Sequence, residues 1–160
     1  MPKIAKDTRA FKVFTIKQGT AIDHITAGSA LKIIRILNLA EHDKIVTVGL
    51  NFPSKQLRLK DIIKVENREL TPEEIARVAI FAPQATINII RDFTVFKKFK
   101  AEIPKIIDYV IICPNPKCIT NNEQMPSKFH VLNEKNVLKL KCHYCERAFK
   151  QTEIKDYKNN

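Results

Sequence analysis

Thr71-Pro72-Glu73-Glu74-Ile75-Ala76-Arg77-Val78-Ala79-Ile80-Phe81-Ala82-Pro83 is the stretch on which the reading of this chain turns. Thr71 is a good helix N-cap. Pro72 suits the first helical position, where its missing N–H would have had no partner anyway. Glu74 completes a capping box with Thr71. The helix is expected to run to about Phe81, because the residue before Pro83 is biased out of the helical region. One helix with both ends marked gives a frame for its neighbours.

Downstream of this helix, Thr86 to Arg91 and Phe93 to Lys97 read as another strand or strand pair. Upstream, Lys44-Ile45-Val46-Thr47-Val48-Gly49-Leu50-Asn51-Phe52 is rich in β-branched residues and predicts a strand ending in a turn at Pro53-Ser54. Leu57 to Glu66 predicts its pairing partner. Ala30 to Leu37 predicts a helix, since the apolar residues at 30, 33, 34 and 37 share one helical face. Phe11 to Lys17 alternates apolar and polar residues and predicts a first strand, closed by Gly19-Thr20. The order is β-α-β-β-α-β. That order predicts an α+β fold, a ferredoxin-like sandwich whose antiparallel sheet carries both helices on one face.

A change of character follows. Lys97 to Pro104 is charged and ends in proline, as a linker should. All four cysteines lie beyond it. There Ile106 to Ile112 predicts a strand, and Lys128 to Lys141 a hairpin turning near Asn133-Glu134-Lys135-Asn136. The chain therefore divides into residues 1–101 and a small all-β unit, 102–160. No internal repeat is present.

The cysteines carry the strongest chemical signal. Four residues separate Cys113 from Cys118, two separate Cys142 from Cys145, and twenty-three lie between the pairs. Two such knuckles brought together give a tetrahedral set of thiolates, a closed structural Zn²⁺ site with no open position for catalysis. The alternatives are two disulfides or four free thiols. Disulfides suit a secreted chain, whereas the segment from Met1 to Asp7 lacks the apolar core of a signal peptide. A unit this small buries too little core to stand without help, which the metal would supply. His143 sits between two of the ligands and is read as a surface residue of the knuckle.

The 160-residue chain has a formal charge of +11, with only 3 glycines and 8 prolines, so it is neither low-complexity nor broadly disordered. Its most apolar stretch, Tyr109 to Cys113, is far too short to span a bilayer, and the expected location is the cytoplasm. Four thiolates and one Zn²⁺ would lower the charge to about +9. A basic surface attracts anions such as nucleotides, nucleic acid or acidic partners. The lysines are spread along the chain, however, and solvation alone accounts for many. There is no Gly-rich phosphate loop, no Gly-x-Ser-x-Gly and no His-Glu-x-x-His. Nothing positive supports an independent enzyme.

Several motifs occur in a fixed order: Gly19-Thr20-Ala21-Ile22-Asp23-His24-Ile25; Asn51-Phe52-Pro53-Ser54; Lys60-Asp61-Ile62-Ile63-Lys64-Val65-Glu66-Asn67; Ala82-Pro83-Gln84-Ala85-Thr86-Ile87-Asn88; Cys113-Pro114-Asn115-Pro116-Lys117-Cys118; and Cys142-His143-Tyr144-Cys145-Glu146. Together they resemble the regulatory chain of aspartate carbamoyltransferase, over nearly the whole chain. The resemblance implies a non-catalytic allosteric subunit in pyrimidine biosynthesis. Residues 1–101 would bind nucleotide effectors, and 102–160 would bind zinc and dock on the catalytic chain. It further implies homodimers of regulatory chains within a hetero-oligomer, with CTP, ATP and UTP as ligands and no role for nucleic acid or membrane.

Carried over by position, the resemblance makes Asp23, His24, Lys64, Asn88 and Lys98 nucleotide-binding side chains. Backbone groups of Thr15, Ile16, Ile90 and Phe93 would read the base, and Ala21 and Val95 would pack nearby. Asn115, His143 and Glu146 correspond to positions that face the catalytic chain. Taken singly these residues are bland: Lys64 reads as an exposed strand lysine, His24 as a hydrogen-bonded structural residue, Asp23 as a turn or cap. The rival from a different class is a zinc-ribbon nucleic-acid-binding protein, which the basic charge would suit, although only Phe129, Tyr144 and Phe149 offer stacking surfaces in the ribbon.

Overall fold

The computed structural model describes residues 14–135 and 137–155. The capped helix forms as read. Helix α2, Pro72–Phe81, has Thr71 at its N-cap; the Thr71 hydroxyl accepts from the Glu74 N–H at 3.2 Å and the Glu74 carboxylate accepts from the Thr71 N–H at 2.9 Å. Helix α1, Ala30–Ile36, buries Ala30, Ile33 and Ile36. Of the face its apolar spacing predicts, Ala30, Ile33 and Leu37 are buried and Ile34 partly so, and Ile36 joins them.

Five strands, β1 (Gly19–Thr26), β2 (Val46–Ser54), β3 (Arg58–Glu66), β4 (Thr86–Arg91) and β5 (Thr94–Lys100), form one sheet in the order β2-β3-β1-β4-β5, every pair antiparallel. The first four keep the expected ferredoxin-like order, and β5 extends the sheet at the β4 edge. Alternation along the strands sends Ile22, Ile63, Val65 and Ile87 to one face, where they are buried with the helix residues Ile33, Val78 and Ile80. The opposite face carries Ala21, Lys64, Asn88 and Lys98.

The C-terminal unit is a second antiparallel sheet of β6 (Ile106–Asp108), β7 (Lys128–Glu134), β8 (Val137–Cys142) and β9 (Ala148–Lys150), in sequential order, with a single-turn helix α3 at Ile119–Asn122. Phe129, Leu140, Ile111 and Ile154 fill its interior, which is continuous with the core of the first sheet. The Gln151 side-chain amide donates to the Ile80 carbonyl of α2, another link between the units. No helix among the described residues is long and apolar enough to cross a membrane.

Four expectations need correction. The first strand is not Phe11–Lys17. Residues 11–13 lie outside the described residues, 14–18 form no strand, and β1 begins at Gly19. Gly19 does not stop a strand. Its φ is +136° and a Cβ there would lie 2.0 Å from the Val65 carbonyl oxygen, so close strand packing demands glycine. Second, Pro53-Ser54 is not a turn but the end of β2. Strand β2 is at the sheet edge, where proline's missing donor is tolerated. Third, Lys97 to Lys100 belong to β5 rather than to a linker. Fourth, the strand predicted over Ile106 to Ile112 stops at Asp108, because Tyr109 turns into the left-handed region at φ 67°. The β7–β8 hairpin turns where predicted, with Lys135 at φ 49°; Asn136 lies outside the described residues.

Candidate functional site

Two places bring chemically useful side chains together. The first is the open face of the larger sheet. In the strand register Lys64 pairs with Ala21, Ala21 with Asn88, and Asn88 with Lys98. Directly paired residues share a face, so these four form one row across β3, β1, β4 and β5. Ile90 pairs with Val95 one step along, on the same face. Lysines 34 positions apart in sequence thus stand at either side of small and amide side chains.

The segment before β1 passes over one end of this row. Lys64 Nζ donates to the Phe14 carbonyl at 2.7 Å, and the Phe93 N–H donates to the Lys17 carbonyl at 3.0 Å. Thr15, exposed, and Ile16, buried, lie between those anchors. Phe93 and Val95 are well exposed beside them. Burial pulls the Lys64 ammonium below its ordinary range, and the Asp23 charge partly counters it.

Asp23 and His24 occupy a bulge where β1 loses register with β3. His24 takes φ 56°, and its N–H donates to Asp23 Oδ1 at 2.7 Å. Burial opposes ionisation of Asp23, but the Lys60 hydrogen bond, the His24 N–H and the charges of both neighbours outweigh it, so the carboxyl lies below its ordinary value. The buried His24 Nδ1 has no hydrogen-bond partner. Lys60 was missed from sequence, although period-two alternation from Lys64 through Ile62 places it on the same face.

The second place is the cysteine cluster. The Sγ atoms of Cys113, Cys118, Cys142 and Cys145 all lie within 4.8 Å of one another, and the three residues Cys113, Cys118 and Cys142 are buried. Cys113–Cys145 and Cys118–Cys142 are each 3.7 Å apart. A regular tetrahedron with Zn–S bonds of about 2.3 Å has edges of about 3.8 Å. The donor set therefore fits one structural zinc ion with little rearrangement. The electrostatics fit as well. Burial raises Cys118, but the Thr120 hydroxyl, the Thr120 N–H and the adjacent thiols outweigh it and bring it down to about 7. Burial and nearby sulfurs push Cys113 and Cys142 up. A divalent cation at the centre would hold all four sulfurs as thiolates.

The knuckles are braced from outside the ligand set. Thr120 Oγ1 donates to Cys118 Sγ at 3.2 Å, and Asn121 Nδ2 bridges the carbonyls of Cys113 and Asn115 at 2.9 and 2.8 Å. Neither residue was singled out from sequence; a hydroxyl two positions after a ligand was the available signal. Asn115 is buried, and its Oδ1 accepts from the Lys117 N–H at 3.2 Å. Of the three residues assigned to a docking surface, Asn115 thus serves the knuckle's own fold, whereas His143 and Glu146 are exposed.

A ferredoxin-like sandwich with a lysine-flanked open face, joined to a small sheet carrying a four-cysteine set that fits a metal ion, defines a two-part, metal-binding protein. In comparison with known families, residues 11–102 match the allosteric domain of the aspartate carbamoyltransferase regulatory chain, and 105–155 its metal-binding domain. Similar proteins of that description include one from Pyrococcus abyssi, 50% identical over 145 residues, covering 89% of this chain and 95% of the relative. One from Methanococcus maripaludis is 49% identical over 136 residues, covering 85% and 90%. One from Aeromonas salmonicida is 46% identical over 140 residues, covering 88% and 91%. The chain belongs to the family of aspartate carbamoyltransferase regulatory chains, the non-catalytic, zinc-binding subunits of that enzyme.

Proposed function

We propose that this chain senses nucleotides on the open face of its larger sheet and passes the signal to the catalytic chains of aspartate carbamoyltransferase. Residues 1–101 are the effector domain and 102–160 the zinc domain that docks, in the cytoplasm. CTP and ATP bind with Lys98 and Lys64 at either side of Asn88, and the triphosphate supplies affinity common to both. Asp23 and His24 complete the polar rim; backbone groups of Thr15, Ile16, Ile90 and Phe93 read the base, beside Ala21 and Val95. UTP is a further effector. Regulatory chains pair as homodimers, and His143 and Glu146, with Asn115 behind them, face the catalytic chain.

The observation that carries this reading is the cross-strand row Lys64–Ala21–Asn88–Lys98, on the face the helices leave open. Helix α2 is a physical route for the signal, since Ile80 contributes to the larger sheet's core and accepts a hydrogen bond from Gln151. A ligand shifts two quaternary states only by its difference in affinity for them, about 1–3 kcal/mol in typical allosteric coupling.

The test is calorimetric titration of the zinc-loaded chain with CTP, with ATP as competitor and Lys64→Ala as control. Saturable binding that ATP displaces and the substitution weakens supports the sensor. Absence of binding at millimolar nucleotide in a folded, zinc-loaded sample would overturn it. In that case salt-sensitive binding to single-stranded nucleic acid becomes the measurement to make.

A further inference from the structure

The geometry points to a second transition-metal site, formed by His130 and His143 on the exposed face of the C-terminal sheet. His130 Nε2 and His143 Nδ1 are 3.0 Å apart, and the ring centroids 5.3 Å. Metal–imidazole bonds of about 2.0–2.1 Å place adjacent ligand nitrogens about 2.9 Å apart in an octahedral site and about 3.4 Å apart in a tetrahedral one. The observed spacing falls between these values. A small rotation of each ring turns the two facing nitrogens toward a common point.

Both residues are held in place by the fold. His130 pairs with Ile106 of β6 and Lys141 of β8, in the middle of the sheet. The His143 N–H donates to the Lys128 carbonyl at 2.8 Å, and the Tyr144 ring packs edge-on against the imidazole at 5.1 Å between centroids. His143 also follows Cys142, so zinc in the cysteine site would fix its backbone. Alternation keeps the sites apart: Cys142 is fully buried and His143 is exposed. One histidine from β7 and one from the turn just after β8 thus form a preorganised chelate on the outside of the knuckle.

The surroundings decide which ions it takes. Lys128 and Lys141 share this face, and Asp108 lies opposite Lys128. Among the described residues no carboxylate, thiol or third histidine joins the pair as a ligand cluster. Two imidazole nitrogens do not suit Mg²⁺ and Ca²⁺, which need oxygen donors, and leave the site to ions that bond well to imidazole: Zn²⁺, Ni²⁺ or Cu²⁺. In the chain free of its catalytic partner, water or an anion drawn by the lysines fills the remaining positions, so the ion is held less tightly than the one held by four thiolates. Without metal, one imidazole N–H must donate to the other ring. Binding asks only that each neutral ring carry its proton on the other nitrogen.

The test uses the full chain already holding one tightly bound zinc. Titration with further ZnCl₂, followed by calorimetry and by metal content at equilibrium, should show one added equivalent. His130→Gln and His143→Gln should each lose that equivalent, while dialysis leaves the first zinc in both. MgCl₂ should give no heat of binding in any form. No second equivalent in the parent chain, or a second equivalent that survives both substitutions, would overturn the proposal. Retention of the first zinc by the variants distinguishes loss of this site from loss of the fold.

Discussion

Lys60 Nζ lies 2.8 Å from Asp23 Oδ1, an ion pair joining β3 to the bulge in β1 with both side chains mostly shielded from solvent. It places a neutralised carboxylate beside the row of Lys64, Asn88 and Lys98. The pair also makes stability depend on pH. Because the folded-state pKa of Asp23 is lowered from 3.8, its contribution is fully present above that value. It is lost as pH falls through the folded pKa. Asp23→Asn should therefore be destabilising near neutrality, by about 1 kcal/mol or less for a partly exposed pair. Denaturant melts of both proteins should converge as the solution is acidified below the ordinary aspartate range. A gap that widens on acidification would contradict this assignment.

Lys98→Ala should weaken CTP and ATP together. A hydrogen bond to a charged group contributes about 1.5–3 kcal/mol, and 1.4 kcal/mol is tenfold in affinity, so a loss of about tenfold or more is expected for each nucleotide. Competition calorimetry reads both losses. Weakening of one nucleotide alone would mean that Lys98 contacts the base rather than the shared phosphates.

Removal of zinc should unfold the C-terminal unit first. Structural zinc in small domains supplies about 10–16 kcal/mol of apparent binding energy that doubles as folding energy. Hydrogen exchange after chelation should show loss of protection across β7 and β8, with β1, β3 and β4 retained. The contact between Gln151 and Ile80 predicts some loosening at the C-terminal end of α2 as well. Uniform loss of protection across both sheets would show that they fold as one cooperative unit.

Gly19→Ala should destabilise the chain although it adds one methyl group. The position combines φ +136° with a backbone oxygen 2.0 Å from the Cβ it would gain. Mismatch of this kind costs more than the roughly 0.4–1 kcal/mol that a compatible Gly→Ala change would gain. A lowered midpoint with unchanged m-value in urea is the expected result. Gly28→Ala makes a useful control: its φ is also positive, at +89°, but no atom lies within 4 Å of the added Cβ. It should be the milder of the two.

Helix α2 was legible in the sequence to the residue because its signals are local. Thr71, Pro72 and Glu74 act on backbone groups within one turn, and no distant partner is needed. The cysteine spacing was legible for a similar reason, since each knuckle is a short local loop with its ligands in the chain itself. The first strand was misplaced because alternation over Phe11 to Lys17 mimics a strand, whereas Gly19, which looks like a terminator, is required by Val65, forty-six positions away. The turn at Pro53-Ser54 failed on edge position: only sheet order reveals that a proline there has no ladder bond to lose.

The sequence by itself determined the β-α-β-β-α-β order of the larger unit, the metal-binding chemistry and, through its ordered motifs, the family, because these depend on residue type and short spacing. Tertiary structure alone decided which side chains meet. Lys64, Ala21, Asn88 and Lys98 become one row only through the register of three antiparallel pairings, and a slip of one residue would send each to the opposite face. The Lys60–Asp23 pair and the approach of His130 to His143 depend in the same way on contacts between separate segments. The physical reason is that strand pairing joins residues far apart in the chain, and register is set by packing of the whole sheet against its helices rather than by the residues being paired.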